Sequence, residues 1–326
     1  MPRSVRPSPS RAVATLLAGA AVLAGAVVAW PGATPATTST AAVEAKPPKR
    51  LTAGCHESPV RLGMVLPAAD AEGRRAADAI ADELGRQIGC RVGVVTRETQ
   101  PEMLAALALH QIDMAQVDPA TLVVGERTVA LTVMGAYSAA PDTAARVSDP
   151  PRLWARRSGP VRTIEDVRGR RVTLGPELTV AGDLAPRAAL LAAGVPTTPV
   201  IGRVEETATE ITRSDDDRRA LARLRDGATD VALTRGPVTD AQARGLRAVW
   251  TGEAPLADLF VIRPGVPNDV RRLLLSAVRD VPGALLAPLA AHQGIDVPTP
   301  LLPVPTELYD PVTDQLDELT AAGLLP

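Results

Sequence analysis

From Val60 onward, apolar residues in this chain switch repeatedly between the two-residue period of a strand and the 3.6-residue period of a helix. Val60–Pro67, Arg91–Thr96 and Ile112–Asp118 read as strands, and Ala69–Ile88 and Pro101–Leu109 between them as helices. Such strand–helix–strand units put parallel neighbours into one sheet, joined by right-handed crossovers. Open sheets of this kind bind small molecules at the carboxyl ends of their strands. The expected class is therefore α/β, built around a binding crevice.

The same alternation resumes further along. Thr128–Tyr137 reads as a fourth strand, after a helix from Pro119 to Val124. The pattern then collapses into Ala, Pro, Asp and Ser between Ser138 and Pro151. A second series follows. It has strands at Leu153–Arg156, Arg171–Gly175, Thr198–Val204, Asp230–Arg235 and Ala248–Trp250, and helices at Asp183–Ala193 and Asp215–Arg225. Leu256–Ile262 reads as a strand returning to the first series, and helices at Asp269–Val281, Ala284–His292 and Thr306–Ala322 close the chain. This order predicts two lobes, 55–140 plus 255–326 and 155–250, joined by crossings near Tyr137–Arg157 and Trp250–Ile262. A length of 326 residues is comfortable for two such lobes.

Ahead of the folded part lie a charged tip with Arg3, Arg6 and Arg11 and an uncharged apolar run, Ala12 to Trp30. This is the order of a secretory signal, and the run of 19 residues also suffices to span a bilayer. Residues 1–30 are thus expected to act as a cleaved signal or as a retained anchor. Residues 31–54, rich in Pro, Ala and Thr, are expected to form a disordered tether. Without residues 1–50 the chain carries 29 basic against 36 acidic residues, a poor composition for binding nucleic acid. Aromatic residues are 2% of the chain, which argues against a cage of rings around a quaternary ammonium and against base stacking.

Two cysteines are present, Cys55 and Cys90. Each precedes one of the first two strands, whose starting ends should lie side by side. A disulfide between them is expected, and an oxidising compartment permits it. A pair of buried thiols is the alternative. Lipidation at Cys55 fits less well, because 24 residues, four of them charged, separate it from the apolar run.

Several stretches together carry a family resemblance. They are Val60-Arg-Leu-Gly-Met-Val-Leu-Pro67, Met103-Leu-Ala-Ala-Leu-Ala-Leu-His-Gln-Ile-Asp-Met-Ala115, Arg162-Thr-Ile-Glu-Asp-Val-Arg-Gly-Arg-Arg-Val-Thr-Leu-Gly-Pro176 and Leu221-Ala-Arg-Leu-Arg-Asp-Gly-Ala-Thr-Asp-Val-Ala232. In this order they resemble the phosphate/phosphite/phosphonate-type substrate-binding proteins of ABC importers. The resemblance runs from about Val60 to Val281 and implies the two-lobed type II periplasmic-binding fold. It also implies a small solute as ligand and ABC permease subunits as partners. Where that family opens a helix with Ser-Thr-Ser to hold phosphonate oxygens, this chain has Leu178-Thr-Val-Ala-Gly182.

The carboxyl ends of the expected strands supply the candidate ligand groups. In the first lobe these are Ala68 with its neighbours Pro67 and Ala69, then Gln116 and Asp118, then Tyr137. In the second lobe they are Thr179 and Val180 within Thr179–Gly182, Glu205 with Thr207, and Thr234 with Arg235. Each has a second reading. Asp118 could accept from a ligand amine or cap the following helix. Tyr137 could be a ligand ring, a hinge residue or core filling. Arg235 could clamp an acid or pair with a neighbouring carboxylate at the rim. Asp215–Asp217 reads as a helix-start cluster.

No histidine pair has zinc spacing, and no Cys-x-x-Cys, Walker loop or Gly-x-Ser-x-Gly elbow occurs. A monomeric, exported binder of a small anionic or zwitterionic solute is expected, without metal or cofactor and without catalysis. A membrane-tethered sensory or scaffold module that keeps the fold but has lost the usual ligand is the alternative.

Overall fold

The computed structural model describes residues 59–138, 143–195, 197, 209–295 and 300–324. The expected leader, the tether, Cys55, Glu205, Thr207 and the strand at Thr198–Val204 lie outside the described residues. Two units are distinguished, Met1–Pro48 and Lys49–Pro326; all that follows concerns the second.

The first series gives β1 (Val60–Val65), α1 (Ala71–Ile88), β2 (Val92–Arg97), α2 (Gln100–Ala108), β3 (Met114–Val117), α3 (Pro119–Thr128) and β4 (Thr132–Tyr137). Local chemistry sets these boundaries. Asp70 caps α1 by accepting from the Gly73 N–H at 2.8 Å, and Gly89, at φ 70°, ends it in the left-handed conformation. The buried stripe of α1 is Ala76, Ala77, Ile80, Ala81, Leu84 and Ile88, as its spacing predicts. Thr99 caps α2 and Asp118 caps α3. One boundary differs from expectation. Helix α3 runs on to Thr128, and β4 begins only at Thr132. Nothing in Gly125-Glu-Arg-Thr stops the helix, and the turn comes at Ala130, at φ 58°.

The second series gives β5 (Arg152–Arg156), β6 (Arg171–Leu174), α4 (Ala185–Ala192), β7 (Glu210–Arg213), α5 (Asp217–Arg225), β8 (Val231–Thr234), α6 (Asp240–Ala243) and β9 (Leu246–Thr251). Strand β7 was not foreseen, since Glu210-Ile-Thr-Arg has a single apolar residue and takes its register from β6. The chain then returns through β10 (Leu259–Ile262), α7 (Asn268–Arg279), α8 (Gly283–His292), β11 (Leu301–Leu302) and α9 (Asp310–Ala321). Among the described residues no single helix is long and apolar enough to cross a membrane.

Two sheets result. The first has the order β11-β4-β10-β3-β1-β2 and the second β7-β6-β8-β5-β9. Strand β1 lies parallel to β2 and β3, while the returning β10 inserts antiparallel between β3 and β4. The two crossing segments are tied to each other. Val147 N–H donates to Pro255 O at 3.0 Å, and Ala257 N–H donates to Ala145 O at 2.8 Å. A paired double crossing is a suitable hinge, because few torsions carry all the relative motion.

Each face of the first sheet buries its own apolar cluster. One holds Leu62, Ile80, Leu84, Phe260, Leu274 and Leu286, under α1, α7 and α8. The other holds Met103, Leu107, Val117, Leu122, Leu316 and Leu319, under α2, α3 and α9. Val180 and Leu184 from the second series belong to this latter cluster, so the lobes share apolar surface. Burying a leucine side chain stabilises by roughly 1.5–3 kcal/mol. Leu184 is fully buried, so this contact helps to hold the lobes together.

Candidate ligand-binding site

Strand β3 is fully buried and leads straight into the cap of α3. Extended backbone through Asp118 places Gln116 and Asp118, two residues apart, on one face. Antiparallel pairing of β10 sets Leu259 opposite Val117, so Asp258 falls opposite Asp118. Pairing of Leu259 with Ala136 of β4 brings Tyr137 to the same edge. Gln116, Asp118, Tyr137 and Asp258 thus gather where the central strands of the first sheet end. Sequence reasoning named the first three and missed Asp258. A charge just ahead of Leu-Phe-Val-Ile was its signal, obscured by reading Leu256–Ile262 as one strand. In the structure Leu256 pairs with Arg146, and β10 starts only after Asp258.

Polar contacts knit this edge together. Gln116 Nε2 donates to Asp258 Oδ2 at 3.4 Å, and Gln293 Oε1 accepts from the Asp258 N–H at 3.1 Å. Gln116 is 5% exposed and its Oε1 is buried with no hydrogen-bond partner. Asp118 and Asp258 are enclosed on most sides yet keep part of their surface accessible. Burial, and then the charge of Asp258, push the Asp118 carboxyl up to about 8, although two backbone N–H groups and Arg235 work against the rise. Burial pushes Asp258 up to about 6. The Tyr137 phenol is held protonated by burial and then by the negative Asp258.

The second lobe meets this edge through the turn after β6. A helical stretch opens there with a π turn, Val180–Leu184, and continues as α4. Its first N–H, on Val180, donates to Asp118 Oδ1 at 3.0 Å, and the Ala120 N–H donates to the same oxygen at 2.8 Å. Asp118 therefore caps its own helix and also the helix of the other lobe. Thr121 Oγ1 lies 3.0 Å from Gln100 Oε1 and 3.1 Å from Leu178 O, a second polar bridge between the lobes. Leu178 stands at φ 57°, a costly conformation for a branched side chain. Its N–H is held by Asp183 Oδ2 at 3.2 Å.

Asp183 anchors the turn from beneath. It is 1% exposed and accepts from Arg213 Nη2 at 2.8 Å, with Arg187 Nη1 at 3.5 Å. Arg187 Nη2 in turn donates to Leu324 O, and Arg213 Nη1 to Gly175 O at 3.1 Å. The turn is tight, since Gly175 N–H donates to Gly182 O at 2.9 Å. A Cβ on Gly175 would stand 2.7 Å from the Gly182 Cα, so both positions need glycine's bare backbone.

The remaining sequence-derived candidates fall as follows. The Thr179 hydroxyl is spent within its own turn, donating to Pro176 O at 2.8 Å and accepting from the Gly182 N–H at 3.1 Å. Arg235 Nε lies 3.4 Å from Asp217 Oδ1, and its Nη2 donates to Asp215 O at 2.6 Å. The rim ion pair is thus the arrangement observed at Arg235. Ala68 lies exposed, three residues after the end of β1. Asp216 caps α5 through the N–H groups of Arg218 and Arg219. Among the described residues no group of three or more His, Cys, Asp or Glu is placed to hold a metal ion. A surface hollow of about 590 Å³ lies elsewhere, beside α1 and the start of β2.

Two α/β lobes, joined by paired crossings and touching where strands end, define the solute-binding class of α/β protein. The chain belongs to the ABC transporter phosphonate periplasmic substrate-binding protein family, whose model matches residues 63–296. No curated protein matches the chain in sequence. Solved structures share the fold at low identity. XAC2383 of Xanthomonas citri, bound to ATP, has a TM-score of 0.61 at 15% identity over 80% of this chain and 99% of that one. PhnD1 of Prochlorococcus marinus, in complex with methylphosphonate, has a TM-score of 0.60 at 12% identity over 80% and 98%. A binding-protein component of an ABC phosphonate transporter from Pseudomonas aeruginosa has a TM-score of 0.59 at 14% identity over 82% and 90%. The expected two-lobed type II periplasmic-binding fold is borne out.

Proposed function

We propose that this chain is the extracytoplasmic receptor of an ABC importer, closing lobes 55–140 plus 255–326 and 155–250 over a small polar solute. The observation that carries this reading is the edge described above. Gln116, Asp118 and Asp258 stand at the strand ends of one lobe, with Tyr137 filling the core beside them, and the Val180 helix start of the other docks onto Asp118. Closure that builds a site from both lobes is what couples ligand to shape. The closed monomer then presents its surface to membrane permease subunits. No bond is made or broken.

A thermal-shift panel of phosphonates, phosphate, amino acids, amines and small acids tests this reading. Stabilisation by one class is expected, since a ligand that binds only the folded state raises its melting point. Silence across the panel overturns it.

Export by residues 1–30, as cleaved signal or retained anchor, with 31–54 as tether, is part of the proposal. N-terminal sequencing of the natural protein decides between the two fates. A Cys55–Cys90 disulfide is proposed too. Its support is that no free thiol stands among the described residues and that β1 and β2 start side by side, with Val60 opposite Val92. In the chain-entropy model the bridge would contribute about 3–4 kcal/mol. Thiol labelling of the denatured chain before reduction would contradict the bridge.

One observation favours a second reading, a tethered sensory or scaffold module that takes no solute. Asp118 already occupies the Val180 N–H, and the Thr179 hydroxyl is committed within its turn. Silence in the panel, together with an intact residue 1, would select it.

A further inference from the structure

We propose that the interlobe edge around Gln116 and Asp258 recognises an ammonium group, and that Asp118 is the residue setting this preference. The inference rests on the solute-binding reading and narrows its ligand class. Asp118 follows β3 by one residue and Asp258 precedes β10 by one, so their register sets two carboxylates side by side. Among the described residues neither has an arginine, lysine or histidine within ion-pair distance. The carboxylates of Asp113 and Asp183, by contrast, each face two arginines. Arg235, the cation that acts on Asp118 from a distance, is tied to Asp217 and to Asp215 O.

A second, independent observation is Gln116. Its Nε2 is turned to Asp258, which leaves its buried Oε1 as an acceptor at the same place with no donor. Asp118 holds a proton at neutral pH in the empty protein; once an incoming cation displaces that proton to solvent, two carboxylates and an amide oxygen make an acceptor-only lining. An ammonium group brings several N–H donors and no acceptor, the complementary inventory. An oxyanion brings the reverse.

The helix start in the other lobe fits the same logic. The first N–H of such a helix is a natural receiver for an anion. Here the Val180 N–H is taken by the carboxylate of Asp118 itself. An incoming phosphonate or carboxylate alone finds that N–H already taken and two acidic side chains beside it. A solute carrying a primary or secondary ammonium, with or without an acid group elsewhere, suits the site.

Matched solutes differing by one amino group test this on the full chain by isothermal titration at neutral pH. The pairs are aminomethylphosphonate with methylphosphonate, β-alanine with propionate, and ethanolamine with ethanol. The amino member of at least one pair should bind at least tenfold tighter than its partner. Asp118→Asn should erase at least tenfold of that preference. Asparagine keeps Oδ1, which accepts both the Ala120 and the Val180 N–H, so the variant removes the ionisable acid and leaves cap and lobe contact in place. Failure of all three amino members to outbind their partners overturns the assignment, as does an Asn variant with an unchanged preference. A solute without an amine that proves to be the strongest binder in the wider panel also overturns it, while leaving the binding-protein reading intact. Silence of all six solutes and of the wider panel overturns both.

Discussion

Asp183 and Asp118 are both enclosed carboxylates at the start of the same interlobe helix, one beneath it and one across from it, and they are served in opposite ways. Asp183 has two arginines and the Leu178 N–H. Asp118 has two backbone N–H groups, a like-charged neighbour and no direct cation. The first is a matched ion cluster that fixes a turn. The second is an acid that the protein alone leaves without a direct cation, and it holds its proton well above the usual carboxylate range. Buried charge that is fully paired holds a shape, whereas an enclosed acid without a cation, its surface still partly accessible, is a place for something else.

The sharpest way to break this comparison is at the matched side. Asp183→Ala should strand Arg213 and Arg187 and release the strained Leu178. A loss of about 3–5 kcal/mol in denaturant unfolding is expected for breaking one member of a buried pair. A loss below about 1 kcal/mol would erase the distinction drawn here.

Asp118→Ala should cost less, about 0.5–2 kcal/mol for the lost cap, read in the same unfolding experiment. Its pH signature should set it apart. Asp118 and Asp258 titrate above the ordinary carboxylate range when folded, so the folded protein holds protons that the unfolded chain has released. Their contribution is full below the unfolded value of about 4 and is lost as pH rises toward the folded values. The empty protein's melting point should therefore fall between pH 5 and pH 8, to which these two carboxyls contribute. Asp118→Asn should flatten that fall.

Asp113 provides the opposite sign. Burial works against its charge, but hydrogen bonds from Arg61 and then Arg263 outweigh it and hold the carboxyl below its usual range. Its contribution is present above the unfolded pKa and is lost as pH falls below about 4. Asp113→Asn should thus remove stability at neutral pH and little of it at pH 2 to 3, in melting curves across that window.

The smallest effect is expected at Arg235. Its guanidinium pairs at the rim with Asp217, and the backbone N–H groups of Arg235 and Gly236 that also bind Asp217 survive truncation. Arg235→Ala should change stability by no more than about 1 kcal/mol, the range of exposed pairs. A loss of solute binding in that variant would return Arg235 to the site and weaken the ammonium assignment.

Much of this molecule is legible in its residues alone. The stripe from Ala76 to Ile88, the Gly89 stop and the caps at Thr99 and Asp118 are local signals, read within one helical turn. Strand β7 and the start of β10 were not legible, because a strand with one apolar residue draws its stability from a partner far away in the chain. At the site, Gln116, Asp118 and Tyr137 could be named as residues ending apolar strands. Asp258 could not, because its place depends on which strand β10 lies against.

The order of strands and helices, the exported leader they follow and the two-lobed class are expectations that residue periodicity and composition alone support. Only the tertiary structure decided how the polar side chains spend their bonding capacity. It committed Thr179 and Arg235 within their own lobe, and it set Asp118 between two helix starts with Asp258 beside it. The physical reason is one of range. Caps and periodic faces are fixed by neighbours a few residues apart, whereas the partner of a buried charge is fixed by sheet register and lobe contact, 30 residues away for Asp183 and Arg213 and 150 for Asp113 and Arg263.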